Sequence, residues 1–172
     1  FQREENEDIL NRVAAGYGYS RNSILYLGGT QPHKNIPNLL RGYAKALPLL
    51  NGAELVLAGF NCNKTPHLVE LIDSLGITEN VKWIGGIIDA DLPVVLSSVK
   101  AFVMPSLYEG FGLTVLEAMA VGTPIASSTA PALKELAGDA ACYFDPLNPE
   151  AISQAIINTM LDNTLRNSLI AE

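Results

Sequence analysis

The residues with the clearest chemical meaning are two glutamates, Glu109 and Glu117, separated by the segment GFGLTVL. Glu109 lies in a predicted loop, and Glu117 lies about one turn into the helix predicted to follow. The backbone amides of residues 111–114 include the unpaired N–H donors of that helix start, which can hold an anion. An ionised carboxylate one turn into the helix can accept hydrogen bonds from a diol. One ligand satisfies all three elements: a ribose, then a diphosphate, then a hydroxylated sugar.

The loop after the first predicted strand, GGTQPHKN, offers a second set of groups for the same anion. Glycine at Gly28 and Gly29 lets a phosphate approach the backbone closely, and Lys34 places a cation there. The sequence has no GxGxxG followed by an acid about twenty positions on, and no GxxxxGK[ST]. The usual dinucleotide site and the P-loop are therefore disfavoured.

Short apolar runs closed by Gly or Pro alternate with helical patterns along most of the chain. The predicted strands are 24–27, 54–58, 81–84, 101–104, 124–127 and 141–144, and the predicted helices are 4–15, 36–47, 66–75, 91–98, 113–121, 132–137 and one that begins at Pro149. Asn35 is a candidate N-cap for the helix predicted over 36–47. Uncharged strands such as AFVM and PIAS imply a sheet covered on both faces. The predicted fold class is α/β, a Rossmann-like parallel sheet flanked by helices, with its ligand beyond the carboxyl ends of the strands.

Residues 1–22 differ from this pattern and are predicted to be a lead-in. A charged surface helix is expected over 4–15 and a break over 16–22. We expect this segment to lead in from a missing N-terminal domain, and residues 23–172 to form the nucleotide-sugar-binding domain. Because the chain starts at Phe1 and its last helical pattern reaches the end, a fragment of a longer protein is expected.

Composition excludes several other classes of protein. The apolar fraction of 48% and the charged fraction of 17% indicate a globular chain rather than a disordered one. A net charge of −7 with no cluster of Lys and Arg along the sequence disfavours binding to nucleic acid or to an anionic membrane. No apolar run is long enough for a membrane span, no signal peptide is recognisable, and a cytoplasmic setting is favoured. Cys62 and Cys142 are expected to be buried free thiols.

The string EGFGLTVLE is the E-x7-E element, and with the GGTQPHKN loop and the later GTPIASS it resembles the donor-binding domain of a GT-B glycosyltransferase of family 4. The resemblance covers residues 24–172. It implies a retaining, metal-independent enzyme built from two Rossmann-like domains, with the active site in the cleft between them and no cofactor.

The resemblance also implies a role for each part of these motifs. Glu117 would bind the ribose hydroxyls, Glu109 would contact the donor sugar and stabilise positive charge near its anomeric carbon, and Lys34 would neutralise the diphosphate. Glu109 and Lys34 would thus be the catalytic residues. Ile87 would contribute a backbone contact to the nucleobase. The implied donor-binding residues are Gly28, Gly29, Lys34, Ile87, Glu109, Gly110, Phe111, Gly112, Leu113, Thr114 and Glu117.

One departure from the family pattern concerns the first loop. Many members carry an arginine directly after the first glycine, as a second phosphate-binding cation, whereas this sequence has Gly29 and Thr30 there. The GGTQPHKN form is similar to a branch that includes mannosyltransferases of polysaccharide assembly, in which a basic residue precedes the lysine. His33 occupies that position, and its substitution for the arginine is left open.

Structural interpretations compete at several positions. Asp89 and Asp91 mimic a metal-binding DxD, but acids there suit the start of the helix predicted over 91–98, and capping is favoured. No metal site is predicted. Trp83 and Phe111 are expected to be core residues more often than base-stacking platforms.

The sequence therefore predicts a glycosyltransferase donor domain. It would pass a sugar from a nucleoside diphosphate to a saccharide or lipid-linked acceptor held by a missing partner domain, and the whole protein could be peripheral to a membrane. Two alternatives stay open: a Rossmann module that only binds a nucleotide, and a sugar-nucleotide epimerase of the same architecture. The paired glutamates favour the transferase, and the base stays open among GDP, UDP and ADP.

Overall fold

A computed structural model describes residues 1–59 and 65–171, and within these ranges the chain folds around one six-stranded sheet. The strands are β1 (Ser23–Leu27), β2 (Glu54–Ala58), β3 (Val81–Gly85), β4 (Ala101–Met104), β5 (Ile125–Ser128) and β6 (Ala141–Phe144). They lie in the order β3-β2-β1-β4-β5-β6, and every neighbouring pair is parallel. The predicted Rossmann-like sheet is confirmed, and each predicted strand end is within one residue of the observed one.

Helices cover both faces of this sheet. The described ranges contain α1 (Glu7–Tyr17), α2 (Ile36–Ala46), α3 (Pro66–Ser74), α4 (Leu92–Ser98), α5 (Leu113–Ala120), α6 (Pro131–Ala137), α7 (Pro149–Leu161) and α8 (Asn163–Ala171), with short 3₁₀ turns at Pro32–Lys34, Leu47–Leu49 and Thr78–Asn80. Side chains alternate along β1: Ile24 and Tyr26 pack in the layer that holds α2, α3 and α7, and Leu25 packs in the layer that holds α1, α4, α5 and α6. Both faces are apolar, as the uncharged strands require.

Several helix ends differ from the predicted ones by one residue, and the first and last predicted helices differ by more: the first begins at Glu7 rather than at Glu4. The first helix continues past Gly16 to Tyr17 and ends at Gly18, whose left-handed backbone (φ 78°) lets its N–H bond the carbonyls of residues 14 and 15. The helix predicted to begin at Pro149 is interrupted at Asp162, which has extended backbone and accepts hydrogen bonds from the first amides of α8. The aspartate carboxylate takes the place of backbone carbonyls as the acceptor for these amides, which favours the start of a new helix over continuation of α7.

The two predicted thiols have different outcomes. Cys142 in β6 is a free thiol, but it is only partly buried, and burial raises its pKa. Its position on the outermost strand of the sheet explains the partial exposure. Cys62 falls within 60–64, outside the described residues.

Helices α2 and α7 pack closely because α2 carries a glycine at the contact. A Cβ added to Gly42 would lie 2.5 Å from Cγ2 and 2.7 Å from Cβ of Ile152, and 3.1 Å from the carbonyl oxygen of Pro149. Glycine is unfavourable inside a helix, but here it removes the side chain that would separate the two helices.

The strand order reverses between β1 and β4, which are adjacent at the centre of the sheet. The connection from β1 leads to β2 on one side, and the connection from β4 leads to β5 on the other side. The loops that leave these two strands therefore diverge and form a crevice, which is the place where open α/β sheets bind ligands. Both sequence motifs lie in these two loops.

Candidate active site

Hydrogen bonds join the two loops at the crevice. The backbone N–H of Leu107, after β4, donates to the carbonyl of His33, after β1, at 2.8 Å. The side-chain amide of Asn35 donates to the carbonyls of Pro105 (3.0 Å) and Pro146 (2.7 Å). Asn35 has left-handed backbone (φ 58°) and does not cap α2 with its side chain, so the cap that the sequence suggested is wrong. Its amide instead holds three loops together.

Lys34 and Glu109, the two residues predicted to be catalytic, form an ion pair across this crevice. The distance from Lys34 Nζ to Glu109 Oε1 is 2.7 Å, and the side chains are only 18% and 12% exposed. The buried Ser106 hydroxyl donates to the same carboxylate oxygen at 2.6 Å, and Ser128 donates to the Ser106 carbonyl at 2.6 Å. Ser106 was not predicted as a site residue, since its only signal in the sequence is its place three residues before Glu109. Together these contacts fix the position of the carboxylate.

A cleft of about 290 Å³ opens beside this pair. Gly112 has positive φ (96°) where α5 begins, and a Cβ there would lie 2.7 Å from Leu133 Cδ2, so glycine is required. The amides of Gly112, Leu113 and Thr114 have no hydrogen-bond partner in the described part of the chain. They are the free donors expected at a helix start. The cleft is lined by Leu27, Gly28, Lys34, Glu109 and residues 111–114.

Glu117 lies four residues after the start of α5, about 6 Å along the helix axis. The residue is half-buried, and no hydrogen bond or ion pair joins its carboxylate to another described residue. Burial raises its pKa, and the negative charge of nearby Asp89 raises it further. An acid among apolar neighbours such as Leu116 and Ala118 needs a partner, and Glu117 has none within the described chain. Its oxygens are available to accept hydrogen bonds from a ligand.

The loop between β3 and α4 lies near Glu117, since the charge of its residue Asp89 contributes to the raised pKa of the Glu117 carboxyl. Ile87 is 4% exposed and belongs to the core, so only its backbone could contact a ligand. Asp91 does not cap α4 with its side chain, and the predicted capping role is wrong for it. Its carboxylate accepts the Tyr17 hydroxyl at 2.9 Å, and that hydroxyl accepts the Ile88 N–H at 3.3 Å. The end of α1 thus holds this loop, a contact that the sequence did not reveal.

Of the remaining predicted residues Gly29, Gly110 and Phe111, only Phe111 lines the cleft. The Gly29 carbonyl accepts the Tyr26 hydroxyl at 2.6 Å, and Gly29 does not line the cleft. Gly110 lines a neighbouring pocket of about 300 Å³ together with Phe111. Phe111 is 56% exposed and lines both pockets, which overturns the expectation that it is a core residue. The structure thus joins most of the predicted donor-binding set at one edge of the sheet.

The histidine in the first loop has a specific aromatic neighbour. The His33 ring stacks on Tyr108, with 4.6 Å between ring centroids and 21° between planes. Tyr108 is 63% exposed, so the stacked pair lies at the surface beside the Lys34–Glu109 ion pair. Trp83, by contrast, packs against the core, as expected.

The described residues contain neither a metal-binding cluster nor a membrane-spanning helix. No group of three or more His, Cys, Asp or Glu in 1–59 and 65–171 is arranged to hold a metal ion. No helix in those ranges is long and apolar enough to cross a membrane.

Comparison with solved structures shows the same fold. HepE from Anabaena, in complex with UDP and glucose, superposes with a TM-score of 0.82 at 21% identity over 100% of this chain and 47% of that one. The C-terminal domain of the group 1 glycosyl transferase LpcC from Francisella tularensis gives 0.81 at 21% identity, over 99% of this chain and 90% of that one. The fold is the Rossmann-like domain of a GT-B glycosyltransferase.

Comparison of sequences is more specific. The family model for glycosyl transferases group 1 matches residues 13–172, and the chain belongs to this family. O-antigen chain mannosyltransferase B from Escherichia coli is 37% identical over 145 residues, which are 83% of this chain and 38% of that protein. The MMP alpha-(1->4)-mannosyltransferase from Mycolicibacterium hassiacum is 35% identical over 150 residues, 85% of this chain and 36% of that protein. The chain thus spans less than two-fifths of the length of these relatives.

Proposed function

We propose that the protein is a retaining, metal-independent hexosyltransferase that passes a sugar, in the manner of its mannosyltransferase relatives, from a nucleoside diphosphate to a saccharide or lipid-linked acceptor in polysaccharide assembly. The observation that carries this proposal is the Lys34–Glu109 ion pair beside the free amides of α5. A cation, a helix N-terminus and a positioned carboxylate meet in one cleft, and a diphosphate sugar needs all three.

The proposed reaction breaks the bond between the anomeric carbon and the diphosphate oxygen. The acceptor oxygen bonds to the same carbon, the nucleoside diphosphate leaves with the electron pair, and the acceptor's proton passes to the departing diphosphate oxygen. The negative charge that develops on the leaving group faces the Lys34 ammonium and the amides of Gly112, Leu113 and Thr114. Preorganised donors of this kind stabilise a developing anion strongly because they need no reorganisation during the reaction.

In this proposal Glu109 has two environments, one paired with Lys34 and one in which a diphosphate has taken its place at Lys34. A diphosphate in the cleft competes with the Glu109 carboxylate for Lys34, because a dianion attracts the ammonium more strongly than one carboxylate does. The carboxylate, still held by Ser106, then faces the positive charge that forms at the anomeric carbon. Donor binding thus prepares both groups for their roles.

The acceptor is proposed to bind in a preceding N-terminal domain, with residues 1–22 as the lead-in and 23–172 as the donor domain. Support comes from the mannosyltransferase relatives, of whose length the chain spans 38% and 36%. A cytoplasmic location, with peripheral membrane attachment of the whole protein, stays a prediction from the sequence.

The test compares two glutamate variants in calorimetric titrations of the whole protein with GDP, UDP and ADP. Glu117→Ala removes the acceptor for the ribose diol and is expected to weaken nucleoside diphosphate binding by about 1 to 3 kcal/mol. Glu109→Ala is expected to leave the affinity for the plain diphosphate unchanged or higher, because Lys34 is then free to pair with the diphosphate, but to reduce the transfer rate from the nucleotide sugar. Binding is expected to persist in the presence of a chelator.

Glu70→Ala is the matched control, since Glu70 is an exposed acid on α3 away from the cleft. Equal losses of diphosphate affinity for Glu109→Ala and Glu117→Ala would show that the orientation of the ligand is assigned wrongly. Nucleotide binding by the whole protein without turnover would favour the binding-module alternative, and interconversion of free nucleotide sugars would favour the epimerase.

A further inference from the structure

A second concave site lies at the opposite end of the sheet from the crevice. It is a pocket of about 310 Å³ formed where the strands begin. Arg21 precedes β1, Lys100 precedes β4, Ser97 and Ser98 end α4, and Arg3 and Arg166 reach it from the two ends of the chain. Because the strands have four or five residues, this pocket is about 15 Å or more from the Lys34–Glu109 pair.

The pocket concentrates positive charge in an acidic protein. Four of the eleven Lys and Arg residues of the chain line it, no Asp or Glu among the described residues lines it, and the net charge of the whole chain is −7. Arg21 is paired with Glu7, which is itself exposed. Within the described ranges, Arg3, Lys100 and Arg166 form no ion pair. Clustered cations without counter-charges are unfavourable unless an anion joins them.

Backbone carbonyls hold the guanidinium groups of Arg3 and Arg166 in place, one near each end of the chain. Nη1 of Arg3 donates to two carbonyls at the C-terminal end of α5, at 2.9 and 3.1 Å. Nη1 of Arg166 donates to the carbonyls of Thr159 (2.6 Å) and Lys100 (2.8 Å). These bonds use one nitrogen of each group, and a guanidinium has five N–H donors in a planar fork. The other donors are thus positioned in advance.

Two further observations indicate that the charge in the pocket is not satisfied. Nε of Arg21 is buried and has no hydrogen-bond partner. The pKa of Arg166 is lowered, first by burial and then by the positive charge of Arg3. Arg3 and Arg166 therefore repel each other across a site that an anion would stabilise.

We propose that this pocket binds a phosphate group, as a second anion site separate from the donor cleft. Phosphate fits because it accepts several hydrogen bonds from guanidinium forks and can neutralise more than one cation. The same chemistry occurs in a free phosphate compound and in a phospholipid headgroup. This proposal does not depend on the function proposed for the cleft.

The test uses Lys100→Glu in the whole protein, because Lys100 is exposed and its side chain makes no hydrogen bond within the described chain. Arg12→Glu is the matched control: it changes the net charge by the same amount on the exposed face of α1. Binding of inorganic phosphate is measured by calorimetry. Lys100→Glu is expected to weaken it about tenfold, which corresponds to loss of one charge-assisted contact of about 1.4 kcal/mol, and Arg12→Glu is expected to leave it unchanged.

A second arm distinguishes the two sources of phosphate. The wild-type protein is mixed with phosphatidylglycerol and phosphatidylcholine vesicles and its flotation is measured. If Lys100→Glu abolishes the flotation and Arg12→Glu preserves it, the site is supported as one for a lipid headgroup. Phosphate binding without flotation would support it as one for a free phosphate compound. Phosphate binding that Lys34→Gln abolishes and Lys100→Glu preserves would overturn the proposal, since the anion would then occupy only the donor cleft. Absence of both phosphate binding and flotation would overturn it as well.

Discussion

At the scale of single residues, Glu117 combines a proposed ligand-binding role with an unfavourable environment. Its carboxylate is half-buried, has no partner in the described chain and lies near the negative charge of Asp89, which together raise its pKa above its ordinary value of 4.5. The folded protein therefore binds this proton more tightly than the unfolded chain does. The carboxyl stabilises the fold below pH 4.5, and this contribution is lost as pH rises through the folded-state pKa.

Glu117→Gln is consequently expected to raise the melting temperature at pH 7, while it weakens nucleoside diphosphate binding. At pH 4 the gain should disappear, because the wild-type carboxyl is then largely protonated. Thermal unfolding followed by circular dichroism at both pH values checks this, with Glu70→Gln as the control for an exposed acid. A lower melting temperature for Glu117→Gln at pH 7 would show that the carboxylate has a favourable partner.

At the scale of elements, the packing of α2 on α7 depends on Gly42. Gly42→Ala is expected to destabilise the protein by about 1 to 3 kcal/mol, because its methyl group would overlap Ile152 and overpacking outweighs the better helix propensity of alanine. Gly16→Ala is a matched control inside α1, where an added Cβ meets nothing within 4 Å. That variant should be more stable than wild type by about 0.5 to 1 kcal/mol. Urea unfolding measures both, and equal effects would contradict the packing argument.

The contact between α1 and the β3–α4 loop predicts a link from residues 1–22 to the proposed nucleotide site. Tyr17→Phe keeps the ring but removes the bonds to Asp91 and Ile88. We expect faster hydrogen exchange at the Ile88 amide and about two- to tenfold weaker nucleotide binding, in keeping with about 0.5 to 1.5 kcal/mol for each net hydrogen bond. Tyr143→Phe, which loses a bond to Gly138 away from the crevice, should leave both unchanged.

The sequence predicts elements better than it predicts contacts between them. The strands were found because apolar runs end at glycine or proline, which are local signals. Lys34 and Glu109 were each predicted to be site residues from their places in the two loops, yet their pairing was missed because each was assigned to a different part of the ligand. The basic pocket was missed because Arg3, Lys100 and Arg166 are far apart in the sequence. The roles of Asn35 and Asp91 were predicted from local capping preferences, which tertiary hydrogen bonds override.

At the scale of the whole molecule, the proposed transferase has two substrates, and only the donor is assigned to this chain. We expect residues 1–172 alone to bind nucleoside diphosphates but to transfer no sugar, because positioning of the second substrate can contribute about 7 to 11 kcal/mol to such reactions. Transfer assays with labelled nucleotide sugar on this chain and on the whole protein test the expectation. Turnover with simple acceptors by the chain alone would contradict it.

The central pairing of β1 with β4 also has a consequence for synthesis on the ribosome. The β1–β2–β3 half emerges first, and β1 is among the most deeply buried strands, with Leu25 and Tyr26 fully covered in the finished fold. Its second edge has no partner until β4 has been made, roughly 4 to 15 s later at about 5–20 residues per second. During that interval an apolar strand edge is open at the middle of the future sheet. The same reversal of strand order that creates the crevice thus exposes, in the nascent chain, the kind of unpaired strand edge from which chaperones protect growing proteins.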